Sequence, residues 1–256
     1  MRAKKSYGQH FLTNEAIARR IARSLTDQFP GGNLLEIGPG KGMLTKYLLE
    51  HDYNLLLVEA DADMVDYLLR LYPHLEDRIL HADFLKLDLD TLFDGEPFRI
   101  IGNFPYNISS QIVFKMLDHR QRIPELVGMF QREMARRIAA EPGSKEYGVI
   151  SVLTQAWYRC HYLFEVGPRN FSPPPKVHSA VIRLVRFRQQ LPCDETLFRS
   201  LVKQVFNQRR KMLRNTMKSF LDDAEMLGET FFTRRPESLS VDEFIELTNR
   251  VASQRG

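Results

Sequence analysis

Through the first two thirds of the chain, short apolar runs alternate with stretches of helical spacing, and this pattern predicts a parallel sheet covered by helices. Asn33–Ile37 is an apolar run closed by glycines, and 43–50 then recurs with the period of a helix. Asn54–Glu59 follows as a buried strand, Ala62–Leu71 as a helix, and 78–81 and 98–102 as strands. The alternation continues with a helix over 109–117, a strand over Glu125–Gln131 and a helix over 132–140. Trp157 and Tyr158 read as core aromatics of a helix under the sheet. Two β-rich segments, 162–166 and 177–187, are separated by the proline-rich loop 168–175, which no helix can cross, and are expected to close the sheet as an antiparallel pair.

Beyond Arg188 the strand pattern ends. A long helical stretch over 194–220 and a shorter set ending in Val241–Ser253 remain, so the domains predicted are an α/β domain, 1–187, and a small all-α domain, 188–256. There is no internal repeat and no low-complexity tract.

Composition narrows the class. At 256 residues the chain suits one α/β domain with an appendage, and 43% apolar with 27% charged residues is ordinary for a globular protein that folds alone. Cys160 and Cys193 have no CxxC or HxxxH companions, which argues against a metal site or a disulfide framework and fits a reducing cytoplasm. The basic start, Met1 to Ser6, is not followed by an apolar stretch of signal-peptide type, and no segment has the length of a membrane span. The net charge of +4 says little, but its distribution says more. From Arg2 to Arg23 there are six Lys or Arg against Glu15 alone, and from Lys203 to Lys218 six against none. Each cluster is either a solvated face or a contact for a polyanion.

Glu36-Ile37-Gly38-Pro39-Gly40-Lys41-Gly42 follows a predicted strand, where glycines admit a ligand closer than any Cβ allows. Glu59, ending the next strand, stands where a carboxylate accepts from ribose hydroxyls, and Asp83, after the third, suits an adenine amine. Dinucleotide folds use GxGxxG to seat a pyrophosphate on a helix N-terminus, whereas this loop is GxGxG led by Glu36. An acid there repels phosphate but attracts a sulfonium or an amino group, which favours S-adenosylmethionine.

Asn103-Phe104-Pro105-Tyr106 follows the fourth strand, on the edge where an open α/β sheet presents ligands. An exocyclic adenine amine is a poor nucleophile because its lone pair is delocalised. The Asn103 side-chain oxygen and the Pro105 carbonyl could hold its two N–H groups and favour a pyramidal nitrogen, with Tyr106 stacked on a flipped base. The same four residues also suit an ordinary Asn-Pro turn. No metal is required.

These motifs, together with Gly8-Gln9-His10-Phe11-Leu12, the run from Phe171 to Ser179 (FSPPPKVHS) and the run from Phe206 to Asn215 (FNQRRKMLRN), resemble the ribosomal RNA adenine dimethylases over nearly the whole chain. The resemblance implies a Rossmann-like class I methyltransferase fold with a seven-stranded, mostly parallel sheet and a C-terminal helical domain. It implies transfer of two methyls to each of two adjacent adenosines in the last hairpin loop of small-subunit ribosomal RNA. The implied partner is that RNA in a partly assembled 30S particle, bound by a cytoplasmic monomer. The implied cofactor residues are His10, Leu12, Gly38, Gly40, Glu59, Asp83 and Asn103; the implied catalytic residues are Asn103, Pro105, Tyr106 and Phe171, the last either sandwiching the adenine against Tyr106 or plugging its loop onto the core. This chain has His10 where the family commonly has Asn, and Phe104 where Leu is common. Lys176 either touches phosphate or caps a strand, and the remaining histidines read as structural. Two alternatives stay open: a large-subunit adenine methylase, which shares the glycine loop and catalytic turn but matches the Phe206 to Asn215 run less well, and a ribosome-assembly checkpoint protein.

Overall fold

The structure, a computed structural model, describes residues 9–29 and 32–254; Gly8 and the basic residues at 2–5 lie outside them. The chain divides into two compact units: the described residues up to Ala135 with Arg159–Arg186, and Arg136–Tyr158 with the described residues from Phe187 on. The chain leaves the first unit next to the boundary expected at 187/188. The segment 136–158, assigned from sequence to the α/β domain, groups instead with the helical unit, because its helix packs on the long helix that follows Asp194.

In the first unit, strands β1 (Phe11–Leu12), β2 (Asn33–Ile37), β3 (Asn54–Glu59), β4 (Ile79–His81), β5 (Phe98–Asn103), β6 (Glu125–Gln131), β7 (Tyr158–Val166), β8 (Phe171–Ser172) and β9 (Ser179–Arg186) appear. Seven of them form one sheet in the order β4-β3-β2-β5-β6-β9-β7. The pairs β2–β3, β2–β5, β3–β4 and β5–β6 are parallel, and β6–β9 is antiparallel. Leu34, Leu35, Leu57, Ile100, Ile101, Leu126 and Val127 are all fully buried, as expected of strands covered on both faces. The order runs outward from β2 through β3 to β4, and from β5 through β6 on the other side. Between β2 and β5 the direction of winding reverses, which opens a crevice at their carboxyl ends.

Helices α1 (Glu15–Ala22), α2 (Thr45–Leu48), α3 (Ala62–Leu71), α4 (Ser109–Asp118) and α5 (Arg132–Ile138) connect these strands. The helix predicted over 43–50 shrinks to the four residues of α2, because left-handed backbone at Gly38, Gly40 and Gly42 prolongs the loop. Such a short helix gives little dipole for a phosphate. Asn14 caps α1 by accepting from Ile17 N, and Asp61 caps α3 by accepting from Asp63 N, each contributing about 1 kcal/mol. A separate two-stranded ribbon joins β1 to β8, pairing Leu12 with Phe171. It is extended by Thr13 N donating to Asn170 O at 2.8 Å and by Asn14 Nδ2 donating to Asn170 Oδ1 at 2.9 Å.

The second unit holds α6 (Val149–Gln155), α7 (Glu195–Asn207), α8 (Leu213–Thr216), α9 (Ala224–Gly228) and α10 (Val241–Ser253). Phe206 stands between Tyr147 and Phe244, with ring centroids 6.2 and 5.9 Å away. Ser240 and Glu243 form a capping box at the start of α10. Two sequence expectations need correction here. The helix predicted over 194–220 breaks after Asn207: residues 208–211 form a turn, with Lys211 N donating to Gln208 O at 2.8 Å. Trp157 and Tyr158 are buried as expected, but α6 ends at Gln155 and Tyr158 opens β7. No helix among the described residues is long and apolar enough to cross a membrane.

Candidate active site

At the crevice, a cavity of about 560 Å³ is lined by the ends of β2, β3 and β5, the loop after β4, and residues 9–12. His10, Leu12, Gly38, Gly40, Glu59, Asp83, Asn103, Pro105 and Tyr106 all face it, so the fold gathers segments spread over almost a hundred residues.

The glycine loop approaches the strap of residues 9–12 closely. A Cβ on Gly40, whose φ is +55°, would stand 3.0 Å from the Phe11 ring. The strap is tied at its start by two bonds: Gln9 Nε2 donates to Asp61 Oδ2 at 2.8 Å, and Asn103 Nδ2 donates to the His10 carbonyl at 3.0 Å.

Two buried carboxylates meet in the cavity wall. Glu59 accepts from Gly40 N through Oε2 and from Asp61 N through Oε1, each at 3.0 Å, which fixes its orientation and leaves each oxygen a second lone pair. Glu36 accepts from Thr45 Oγ1 at 2.7 Å. Burial pushes the Glu36 carboxyl up to about 8, with the charge of Glu59 adding to the rise and the Thr45 bond opposing it. Burial raises Glu59 as well, against its backbone bonds. Two desolvated acids beside one cavity are poorly matched to phosphate and well matched to a cation.

Across the cavity stands the Asn103–Tyr106 turn. With Nδ2 engaged by His10 O, the Asn103 Oδ1 is the atom left to accept from a substrate. The Pro105 carbonyl accepts from Ile108 N at 3.3 Å and retains a second lone pair. Tyr106 shares a 2.7 Å hydrogen bond with the buried Ser179 Oγ, and burial raises the phenol above its ordinary range. The bond fixes the tyrosine ring from the floor of β9, a contribution that sequence reasoning passed over. Phe104 is 1% exposed and packs edge-on to Phe130, with centroids 5.1 Å apart. Its ring occupies the space over two glycines, because a Cβ on Gly128 would come within 2.2 Å of it and one on Gly102 within 2.8 Å. The turn is therefore pinned to the sheet by an aromatic plug.

Phe171 does not take the place expected of it. It is 4% exposed, packed in the core that contains Leu12 and Ile21, and does not face the cavity. Its pairing with Leu12 in the β1–β8 ribbon turns it inward, where it supports the strap. The ring that lies on Tyr106 is His10, with centroids 5.4 Å apart and planes 28° apart, and its Nδ1 donates to Pro173 O at 2.8 Å.

The sequence profile of the ribosomal RNA adenine dimethylases matches residues 1–252. The chain belongs to that family. As an adenine dimethylase it is a ribosomal RNA methyltransferase, and its methyl donor is S-adenosylmethionine. It is 53% identical to the ribosomal RNA small subunit methyltransferase A of Bacteroides fragilis, covering 98% of this chain and 93% of that one. With the Flavobacterium johnsoniae protein of the same name the identity is 49%, over 98% and 96% of the two chains. Among solved structures, a dimethyladenosine transferase from Plasmodium falciparum has the same fold, with a TM-score of 0.82 at 22% identity over 96% of this chain and 98% of that one. The 23S rRNA methyltransferase ErmE aligns with a TM-score of 0.70 at 25% identity, over 93% and 99%. The residues of this adenine dimethylase suit its cofactor: left-handed glycines bare the backbone, the Glu59 carboxylate retains acceptor capacity, and buried acids favour a positive ligand.

Proposed function

We propose that this adenine dimethylase places two methyl groups on the N6 of each of two adjacent adenosines in the 3'-terminal hairpin loop of small-subunit ribosomal RNA. It acts as a cytoplasmic monomer on a partly assembled 30S particle. The observation that carries the reading is the tie between Asn103 Nδ2 and the His10 carbonyl, which reserves Oδ1 as an acceptor over the cavity.

The bound cofactor supplies a methyl group on a sulfonium. Asn103 Oδ1 and the Pro105 carbonyl hold the two N–H groups of the adenine amine, drawing its lone pair out of conjugation and toward the methyl. Formation of the N–C bond would be matched by loss of the methyl's bond to sulfur, whose electron pair would stay on a neutral thioether, and the positively charged nitrogen would release a proton to solvent. Tyr106 offers its ring to the extruded base, which costs less to flip from a loop than from a paired stem. Gly38, Gly40, Leu12 and the strap at His10 line the cavity that would enclose the cofactor; Glu59 would accept from its ribose and Asp83 from its adenine amine. After one transfer the amine retains a single N–H, so one acceptor suffices for the second methyl. The C-terminal helical domain, 188–256, contributes RNA contacts through its basic residues.

The test is single-turnover transfer of labelled methyl groups to small and to large ribosomal subunits lacking modification, each assayed separately. Label in the 3'-terminal hairpin of the small-subunit RNA supports the reading, whereas label in large-subunit RNA would favour the specificity named for ErmE.

A further inference from the structure

The loop after β4 carries Asp83, Phe84 and Leu85 into the cavity wall, and it is held from behind by one side chain. Lys115, half-buried on the last turn of α4, donates from Nζ to Phe84 O at 2.8 Å, to Leu85 O at 3.0 Å and to Leu87 O at 2.5 Å. An ammonium has three N–H donors, and here three backbone carbonyls take them. Without a cation these converging dipoles would repel one another, and the loop would open to turn its carbonyls to water. Burial lowers the Lys115 ammonium, while the carboxylates of Asp83 and Asp88 oppose the loss of its proton.

Asp83 is shaped by the same loop. Its Oδ1 accepts from Leu85 N at 2.9 Å, and its carbonyl accepts from Lys86 N at 3.0 Å and Leu87 N at 3.1 Å. Oδ2 is left for a ligand. The direction of Oδ2 therefore depends on the path of 83–87, which is the path that Lys115 gathers. The opposite end of α4 begins just after the catalytic turn, where Ser109 Oγ donates to Tyr106 O at 3.1 Å. One helix thus touches both ends of the cavity.

We propose that Lys115 is a positioning residue for the cofactor: it sets the loop that aims Asp83 at the adenine amine, and so determines selectivity for a 6-amino purine. The inference rests on the adenine-binding reading of Asp83.

The test is calorimetry on the full chain with S-adenosylhomocysteine and its inosine counterpart, in which a 6-oxo group replaces the amine. The wild type is expected to prefer the adenine ligand, and Asp83→Asn to lose that preference. Lys115→Met is expected to weaken the adenine ligand by about tenfold with little change for the inosine ligand, the lost discrimination matching one hydrogen bond to a charged group. Lys115→Arg, which keeps a cationic donor fork, retains most of the preference. If Lys115→Met does not fold, Lys115→Gln, which keeps two of the donors without the charge, is expected to give an intermediate loss. Equal weakening of both ligands, or an unchanged preference while Asp83→Asn abolishes it, would make Lys115 a structural brace and overturn the inference. A preference that survives Asp83→Asn would overturn it together with the Asp83 reading on which it rests.

Discussion

The Asn103 side-chain amide donates to the backbone carbonyl of His10 at 3.0 Å, joining the Asn103–Tyr106 turn at the end of β5 to the strap over the cavity. The bond sets the orientation of the amide and also holds the strap down. Asn103→Ala should lower the single-turnover methylation rate by about 10- to 100-fold, the range expected for an acceptor that matters most as the amine gains charge. Asn103→Asp should be worse for the strap than Ala, because its carboxylate both lacks the donor and repels the His10 carbonyl. Cofactor affinity measured alongside the rate separates the two effects: Ala acts mainly on rate, Asp on both.

Cofactor binding should depend on pH through Glu36. In the empty protein its carboxyl is raised to about 8 by burial and by Glu59. A cationic ligand in the same cavity lowers it again, so binding releases a proton, and affinity should rise as pH goes from about 6.5 to about 8.5. Calorimetry in buffers of different ionisation enthalpy should show that release near pH 7, and Glu36→Gln should abolish it. The stability effect has the opposite sense. A folded-state pKa above the unfolded one means that the empty protein loses stability as pH climbs from the ordinary Glu value toward 8. Glu36→Gln should therefore raise Tm more at pH 8 than at pH 5.

Phe104 and Gly128 form a matched pair. Gly128→Ala would put a methyl within 2.2 Å of the Phe104 ring, and such overpacking costs about 1–3 kcal/mol. The ring carries Pro105 and Tyr106 with it, so activity should fall beyond what thermal melting accounts for. Combining Gly128→Ala with Phe104→Leu should recover part of both losses, and a double-mutant cycle with no coupling would contradict the packing account.

The basic turn after α7 should make subunit binding depend on salt. Arg210, Lys211 and Arg214 are exposed, whereas Arg209 donates through Nη2 to Ser144 O at 3.0 Å and is an internal brace. Replacing Arg210, Lys211 and Arg214 with Ala should flatten the salt dependence of subunit binding while sparing cofactor affinity. An unchanged slope would make the turn a solvated surface.

The sheet was legible because its strands are apolar runs closed by glycine or acid, and its winding order follows from their alternation with helices. The residues that line the cavity were legible for the same reason: Gly38, Glu59, Asp83 and Asn103 all stand at or just beyond strand ends. What escaped depends on contacts distant in sequence. The break at 208 has no glycine or proline to mark it, and Leu213 and Met217 continue the helical spacing across it. Phe171 lies in a proline-rich loop that suggests an exposed ring, yet its register with Leu12 turns it into the core. Lys115 reads as one charge on an amphipathic helix, since carbonyls carry no sequence signal. The placement of 136–158 with the helical unit depends on α6 packing against α7, across some forty intervening residues.

The most direct measurement is mass spectrometry of the 3'-terminal fragment of small-subunit RNA, and of large-subunit RNA alongside it, after unmodified small and large subunits are incubated with the purified protein and S-adenosylmethionine. Two methyl groups are expected on each of two adjacent adenosines, with transfer by the Asn103→Ala variant slower by about 10- to 100-fold. Methylation confined to large-subunit RNA, or an Asn103→Ala variant as fast as the wild type, would contradict it.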